Sequence, residues 1–275
     1  MPCYHPITAY RSAELSANGK RRLVFSRSAG LVDQPIQIPC GQCIGCRLEK
    51  SRQWAMRCVL EASLYEKNTF LTLTYNDANL PSDMSLKKRD LQLFMKRLRK
   101  RYGNDIRFYA AGEYGDRSLR PHYHLILFNF YPPDGELIRL RPMPLYISES
   151  LLKLWPFGYH SFGVVTFDSA AYVARYCTKK ITGPSAEAHY AGREAEFSLM
   201  SRRPGIGAPW LKLYHHDVYP SDTVVLRDGL KLKPPHYFDL LYDKFTSNLN
   251  AIKINRRKTA FYNFKDFLNN ELNLC

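Results

Sequence analysis

Ile106 to Phe130 reads IRFYAAGEYGDRSLRPHYHLILFNF, and its pattern decides the fold class. Residues 106–114 and 122–130 are runs rich in Tyr, Phe, Ile and Leu, and the polar turn 115–121 separates them. Two such runs around turn residues predict a β-hairpin. Alternate side chains of a strand share a face, so His122 and His124 should point the same way, about 7 Å apart along the chain. Glu113 closes the first run, between Gly112 and Tyr114-Gly115, at the end of the hairpin that carries both histidines. Two imidazoles suit one divalent ion, and Glu113 offers the hard oxygen that a His pair needs for Mg²⁺ or Mn²⁺. The structural alternative is a pair of hydrogen-bonded strand histidines, with Glu113 in a salt bridge to Arg117 or Arg120. Those two arginines are also candidate phosphate ligands in the turn.

Outward from the hairpin the periodicity changes. Residues 44–67 place Trp54, Ala55, Cys58, Val59, Ala62 and Leu64 at helical offsets among charged residues, which predicts an amphipathic helix. FLTLTY at 70–75 alternates as a strand with one buried face. Between Lys87 and Arg101 eight residues are basic and only Asp90 is acidic, while Leu91, Phe94, Leu98 and Tyr102 keep helical spacing before Gly103. A basic helix ending at a glycine follows. Beyond the hairpin a short helix is expected at 147–155, a strand at 160–167 and a helix at 169–181. Strand, helix, strand, strand, helix, strand, helix predicts an α+β fold of the split βαβ kind, with a mainly antiparallel central sheet and helices on one face. Residues 182–209 are rich in turn formers and predict a long irregular loop; residues 237–275 regain helical character. The expected organisation is a Cys-rich segment and helix at 1–66, a catalytic core at 67–182, and a basic loop with a C-terminal extension packing on the core at 183–275.

The helix at 169–181 contains SAAYVARYCTKK, which sets Tyr172, Tyr176 and Lys179 on one face. A phenol, with a pKa near 10, is a poor nucleophile at neutral pH. It can attack a phosphodiester whose oxygens a metal polarises and whose charge an ammonium offsets. Two tyrosines lining an amphipathic helix and a solvated basic end are the structural alternative.

Composition narrows the partner. The 275 residues carry 40 Lys+Arg against 25 Asp+Glu, a net charge of +15, and 45% of them are apolar. That charge costs self-repulsion unless a polyanion shares the field, which makes nucleic acid the leading partner. No apolar run approaches the roughly 18 residues that cross a bilayer, so no membrane role is expected. Cys40, Cys43 and Cys46 follow C-x-x-C-x-x-C, the spacing of a zinc knuckle, with Cys3 the best fourth ligand and His5 the second. An iron–sulfur cluster would use similar ligands.

Together these pieces resemble the HUH (His-hydrophobe-His) endonucleases that initiate rolling-circle replication, most closely those of gokushovirus-type microviruses. FLTLTYND at 70–77, GEYG with RPHYHLILF within 112–128, and YVARYCTKK at 172–180 are similar to the family's first, metal and tyrosine motifs. CYHP, CGQCIGCR, FMKRLRK at 94–100 and MSRRPGIG at 200–207 resemble the gokushovirus subgroup. The resemblance implies a nickase and ligase in which His122, His124 and Glu113 hold Mg²⁺ or Mn²⁺. Tyr176, or Tyr172 in alternation with it, would be the nucleophile and Lys179 its charge partner. It further implies origin single-stranded DNA as substrate in the cytoplasm of a bacterial host. The sequence has no G-x-x-x-x-G-K-[ST] phosphate loop, so a host helicase and a host DNA polymerase would assist. Lys96, Arg97, Arg99, Lys180, Arg202 and Arg203, with Arg117 and Arg120, are the expected DNA contacts. A non-catalytic nucleic-acid-binding protein, or an HUH transposase or relaxase, is the competing reading.

Overall fold

The computed structural model describes residues 3–116, 118–176, 180–181, 183, 185–219, 221–226, 229–246, 252, 254 and 256. The chain opens with three strands, β1 (Ile7–Leu15), β2 (Arg21–Val24) and β3 (Gly30–Ile38), and the long helix α1 (Ile44–Ala62). Then come β4 (Asn68–Tyr75), α2 (Lys88–Tyr102), β5 (Arg107–Tyr114), β6 (Pro121–Phe128), β7 (Gly135–Arg139) and β8 (Leu145–Ser148). They are followed by α3 (Glu149–Leu154), β9 (Gly158–Gly163), α4 (Phe167–Tyr176), α5 (Ser185–Tyr190), β10 (Phe197–Met200) and α6 (Ala208–Val218). A small ribbon, β11 (Val224–Val225) with β12 (Lys231–Leu232), precedes α7 (His236–Phe245).

The α+β class is as the sequence pattern requires. Seven strands form the central sheet in the order β10-β5-β6-β4-β9-β8-β7, and every neighbouring pair is antiparallel. The expected hairpin is β5–β6, with Glu113 opposite His122 and Ala111 opposite His124. One sheet face buries Leu71, Leu73, Tyr123, Leu125 and Leu127 against Leu91, Phe94 and Leu98 of α2 and Leu151 of α3. Each such fully buried Leu or Phe contributes about 1.5–3 kcal/mol.

The other face is covered as well, which corrects the expectation of helices on one side. Tyr109, Ala111, Ile126 and Phe128 pack there against Cys58 of α1 and Ala170 and Val173 of α4. The reason lies in β5 and β6, which are buried on both faces; such strands read as continuous apolar runs from which a one-sided alternation cannot be told.

Further differences are local. Residues 147–155 divide into the end of β8 and α3, because Ser148 caps the helix through a hydrogen bond from Leu151 N to its Oγ. The strand expected at 160–167 is β9, and Phe167 already opens α4. The stretch 182–209 is not merely a loop: it contains α5, and β10 adds a strand to the sheet beside β5. A four-residue edge strand is too short to leave a periodic signal. The antiparallel sheet β2-β1-β3 was likewise invisible, since Ala9 and Tyr10 are the only buried residues of its strands.

Candidate functional site

The two histidines leave the sheet on the face covered by α4. β4 runs alongside β6 with Thr72 opposite His124 and Thr74 opposite His122. Their hydroxyls take up the near side of each ring: Thr72 Oγ1 and His124 Nδ1 share a hydrogen bond of 3.0 Å, and Thr74 Oγ1 and His122 Nδ1 one of 2.9 Å. Both imidazoles are thereby oriented with Nε2 outward. His124 Nε2 donates to Glu113 Oε1 at 2.9 Å, and the two ring centroids lie 6.5 Å apart. His124 and Glu113 are buried, and His122 is half-buried. Burial, reinforced by the neighbouring His124 and opposed by Glu113, lowers the His122 pKa, so its imidazole stays neutral with a lone pair to give.

α4 roofs this group. Thr166 and Ser169 exchange hydrogen bonds at its start, with Ser169 N donating to Thr166 Oγ1 and Thr166 N to Ser169 Oγ. Ala170, Val173 and Ala174 are wholly buried, and such small side chains let the helix lie close to the strands. Tyr172 then stands at the helix flank, 41% exposed, its ring edge-on to His124 at 5.3 Å and 6.2 Å from Phe70, which itself stacks on His124. Tyr176 is one turn further, the last residue of α4, and its side chain lies outside the described residues. Lys179 and Arg117 also lie outside them.

The structure therefore brings His122, His124, Glu113 and Tyr172 together, and places most of the basic residues elsewhere. Lys96, Arg97 and Arg99 belong to α2, on the opposite face of the sheet. Lys96 is exposed, whereas Arg97 donates to Leu154 O and Arg99 to Ile106 O. Arg120 donates to Tyr75 O and pairs with Asp77, so its guanidinium braces the turn. Lys180 is exposed beyond α4, and Arg202 and Arg203 are exposed after β10, near the N-terminal end of β5. Thr72 and Thr74 are the residues that sequence reasoning missed. Their signal was present, because T-x-T on one strand matches the two-residue spacing of H-x-H on the next.

A second cluster forms where β3 meets α1. The Sγ atoms of Cys3, Cys40, Cys43 and Cys46 all lie within 4.8 Å of one another, with Cys3–Cys43 at 3.8 Å and Cys40–Cys46 at 4.0 Å. Four thiolates at about 2.3 Å from a tetrahedral zinc stand about 3.8 Å apart, so the set fits such an ion. Cys40 N donates to Cys3 Sγ, Cys43 N to Cys40 Sγ and Tyr4 N to Cys43 Sγ. Backbone N–H groups of Cys46 and Tyr4 hold the Cys43 thiol down at about 6, and those of Cys43 and Gln42 lower Cys40. Burial and the neighbouring thiols push Cys46 up to about 12. His5 is exposed and stands outside the group. Among the described residues this is the one group of three or more metal-ligating side chains closed to that degree; the His122–His124–Glu113 set is more open.

Comparison with known proteins follows the same outline. The chain is 36% identical over 220 residues to the replication-associated protein VP4 of Bdellovibrio phage phiMH2K, covering 75% of this chain and 68% of that protein. It is 32% identical over 240 residues to the replication-associated protein ORF2 of Spiroplasma virus 4, covering 81% and 74%. To the replication-associated protein ORF4 of Chlamydia phage 1 it is 31% identical over 221 residues, covering 76% and 54%. No solved structure matches. The family described as replication-associated protein ORF2/G2P matches residues 68–181, from the start of β4 to just beyond α4, a span that holds both threonines, both histidines, Glu113 and both tyrosines. With that match and relatives of this coverage, the chain belongs to the replication-associated protein family ORF2/G2P.

Proposed function

We propose that this chain initiates phage DNA replication by nicking one strand at the origin and later rejoining it. The observation that carries the reading is the convergence of His122, His124 and Glu113 beneath Tyr172 at one end of the β5–β6 hairpin. His122, His124 and Glu113 would hold Mg²⁺ or Mn²⁺, through Nε2 atoms whose opposite ring nitrogens Thr72 and Thr74 fix, as outer partners of metal-bound histidines do. The ion, when bound, supplies Lewis-acid polarisation of the scissile phosphate. A phenol oxygen of Tyr172 or Tyr176 forms a bond to phosphorus while the bond from phosphorus to the 3′ oxygen breaks. The phenol gives up its proton and the leaving oxygen ends as a 3′ hydroxyl, which can prime polymerase. The 5′ phosphate stays on tyrosine, so the reverse attack by a 3′ hydroxyl rejoins the strand without outside energy. Lys179 would offset charge beside the phenols. Single-stranded origin DNA is the substrate in this reading, host helicase and polymerase are the partners, and the cytoplasm of the infected bacterium is the place. Among the described residues no helix is long and apolar enough to cross a membrane. We assign structural Zn²⁺ to the four-cysteine cluster.

Incubation with origin-derived single-stranded DNA and Mn²⁺ should give a protein–DNA adduct that survives denaturation and is lost in His122→Ala. Its persistence in a Tyr172→Phe, Tyr176→Phe double variant, or its absence under every divalent ion, would overturn the tyrosine chemistry.

A further inference from the structure

At the end of β5 remote from Glu113, a cleft of about 770 Å³ opens between the end of α2 and the turn after β10, lined by Arg99, Arg107, Arg202 and Arg203 with Asp105 and Tyr65. Glu113 is six residue steps along β5 from Arg107, so the cleft stands roughly 20 Å from the histidine site. Arg107 is neutralised by Glu61, with which it pairs. Arg99 spends two of its five N–H donors on Ile106 O. Arg202 and Arg203 are exposed, and among the described residues neither has a carboxylate partner. Asp105 is the opposing charge, which leaves the cleft with a surplus of guanidinium.

The turn that carries this surplus is rigidly built. Glu61 has no exposed surface, and its two oxygens take Arg107 and the backbone N–H of Gly207 at 2.7 Å. Arg107 also donates to Pro204 O at 2.8 Å and Arg57 to Ile206 O at 2.9 Å, while Arg202 and Gly205 form a bridge across the turn. The Tyr237 hydroxyl packs directly on Gly205, where a Cβ would lie 2.3 Å from it, so a larger residue would have to displace that ring. A buried carboxylate costs several kcal/mol unless it is paired and hydrogen-bonded. Here those bonds all serve to fix the backbone that presents Arg202 and Arg203 to solvent. A surface held in place before binding gives up little freedom when a ligand arrives.

We propose that this cleft is a second DNA contact, in which Arg202 and Arg203 grip the phosphodiester backbone of DNA about six base-pair steps of 3.4 Å away from the histidine site. It rests on the preceding reading only in taking DNA as the partner. Backbone contacts are indifferent to sequence, so a fluorescein-labelled hairpin of mixed sequence with a single-stranded tail serves as the probe, followed by anisotropy across a potassium chloride titration without Mn²⁺. Neutralising one phosphate-binding arginine should lower the slope of log affinity against log salt by about one, so Arg202→Gln, Arg203→Gln should lower it by about two. Arg202→Lys, Arg203→Lys should keep the slope, since the charges remain. If the Gln pair binds with wild-type slope and affinity, the cleft proposal is overturned while the nicking reading stands. If the wild-type protein does not bind the hairpin at all, the cleft proposal is likewise overturned, and the nicking reading is decided by the origin-DNA adduct assay alone. An adduct assay that fails while the slope difference persists overturns only the tyrosine chemistry.

Discussion

Two threonine hydroxyls govern how the imidazoles of His122 and His124 stand on the sheet. In the proposed metal site they do what no ligand can do for itself, holding Nδ1 so that Nε2 faces the ion. Thr72→Val and Thr74→Val keep the shape of the side chain and remove the hydroxyl. Each is expected to weaken Mn²⁺ binding by about 10- to 100-fold, measured by titration calorimetry, while thermal unfolding stays near wild type. Unchanged Mn²⁺ affinity in both would show that the hydroxyls do not orient the ligands. At this scale the sequence was partly legible. H-x-H states its own geometry once the segment is known to be a strand, and YVARY states its own on a helix. The threonines were not legible, because their importance comes from register across β4 and β6, which no single strand encodes.

Elements show where pattern reading misleads and why. Leu151, Leu152 and Leu154 give residues 147–155 the pattern of one short helix, yet Ser148 and Asp134 set the boundary. Asp134 accepts hydrogen bonds from Ser148 Oγ, Ser150 N and Ser150 Oγ; although burial works against it, these hold its carboxyl down at about 2. From β9, His160 Nε2 accepts the backbone N–H of Ser148 at 2.9 Å, a role that requires a neutral ring. Burial lowers the pKa of His160, against the pull of Asp134. The native chain therefore takes up this proton at lower pH than the unfolded chain, whose histidine titrates near 6.5. Stability from this junction should be complete above pH of about 6.5 and fall as pH drops below it, until the native His160 is also protonated. Urea midpoints between pH 7.5 and 5.5 should decline less in His160→Gln than in wild type. An equal decline in both would locate the pH sensitivity elsewhere.

At the scale of the whole molecule, the fold class was legible because strands and helices alternate with distinct periods from β4 to α4. What escaped was everything held by contacts remote in sequence: the covering of both sheet faces, β10, and the N-terminal sheet. That small sheet buries only Ala9 and Tyr10 in its strands, too little to hold a domain by apolar burial. The cysteine cluster joins the start of the chain and the end of β3 to α1 and would take over that role with zinc bound. Elemental analysis should find one zinc per chain, and Cys43→Ser should lose it. In that variant, limited proteolysis should cut within residues 3–46 before it touches the central sheet. Zinc-free wild-type protein, purified without chelators, would retire the assignment.

The pairing of β10 with β5, from Phe197 opposite Gly112 to Met200 opposite Tyr109, carries a practical consequence. A polypeptide trimmed at residue 182, where the motifs stop, would leave the outer rim of β5 with bare amide and carbonyl groups beside apolar side chains. Such rims recruit other chains and precipitate them. The shortest soluble fragment must therefore run to at least Met200, and the portion that looks dispensable in the motifs is a seal.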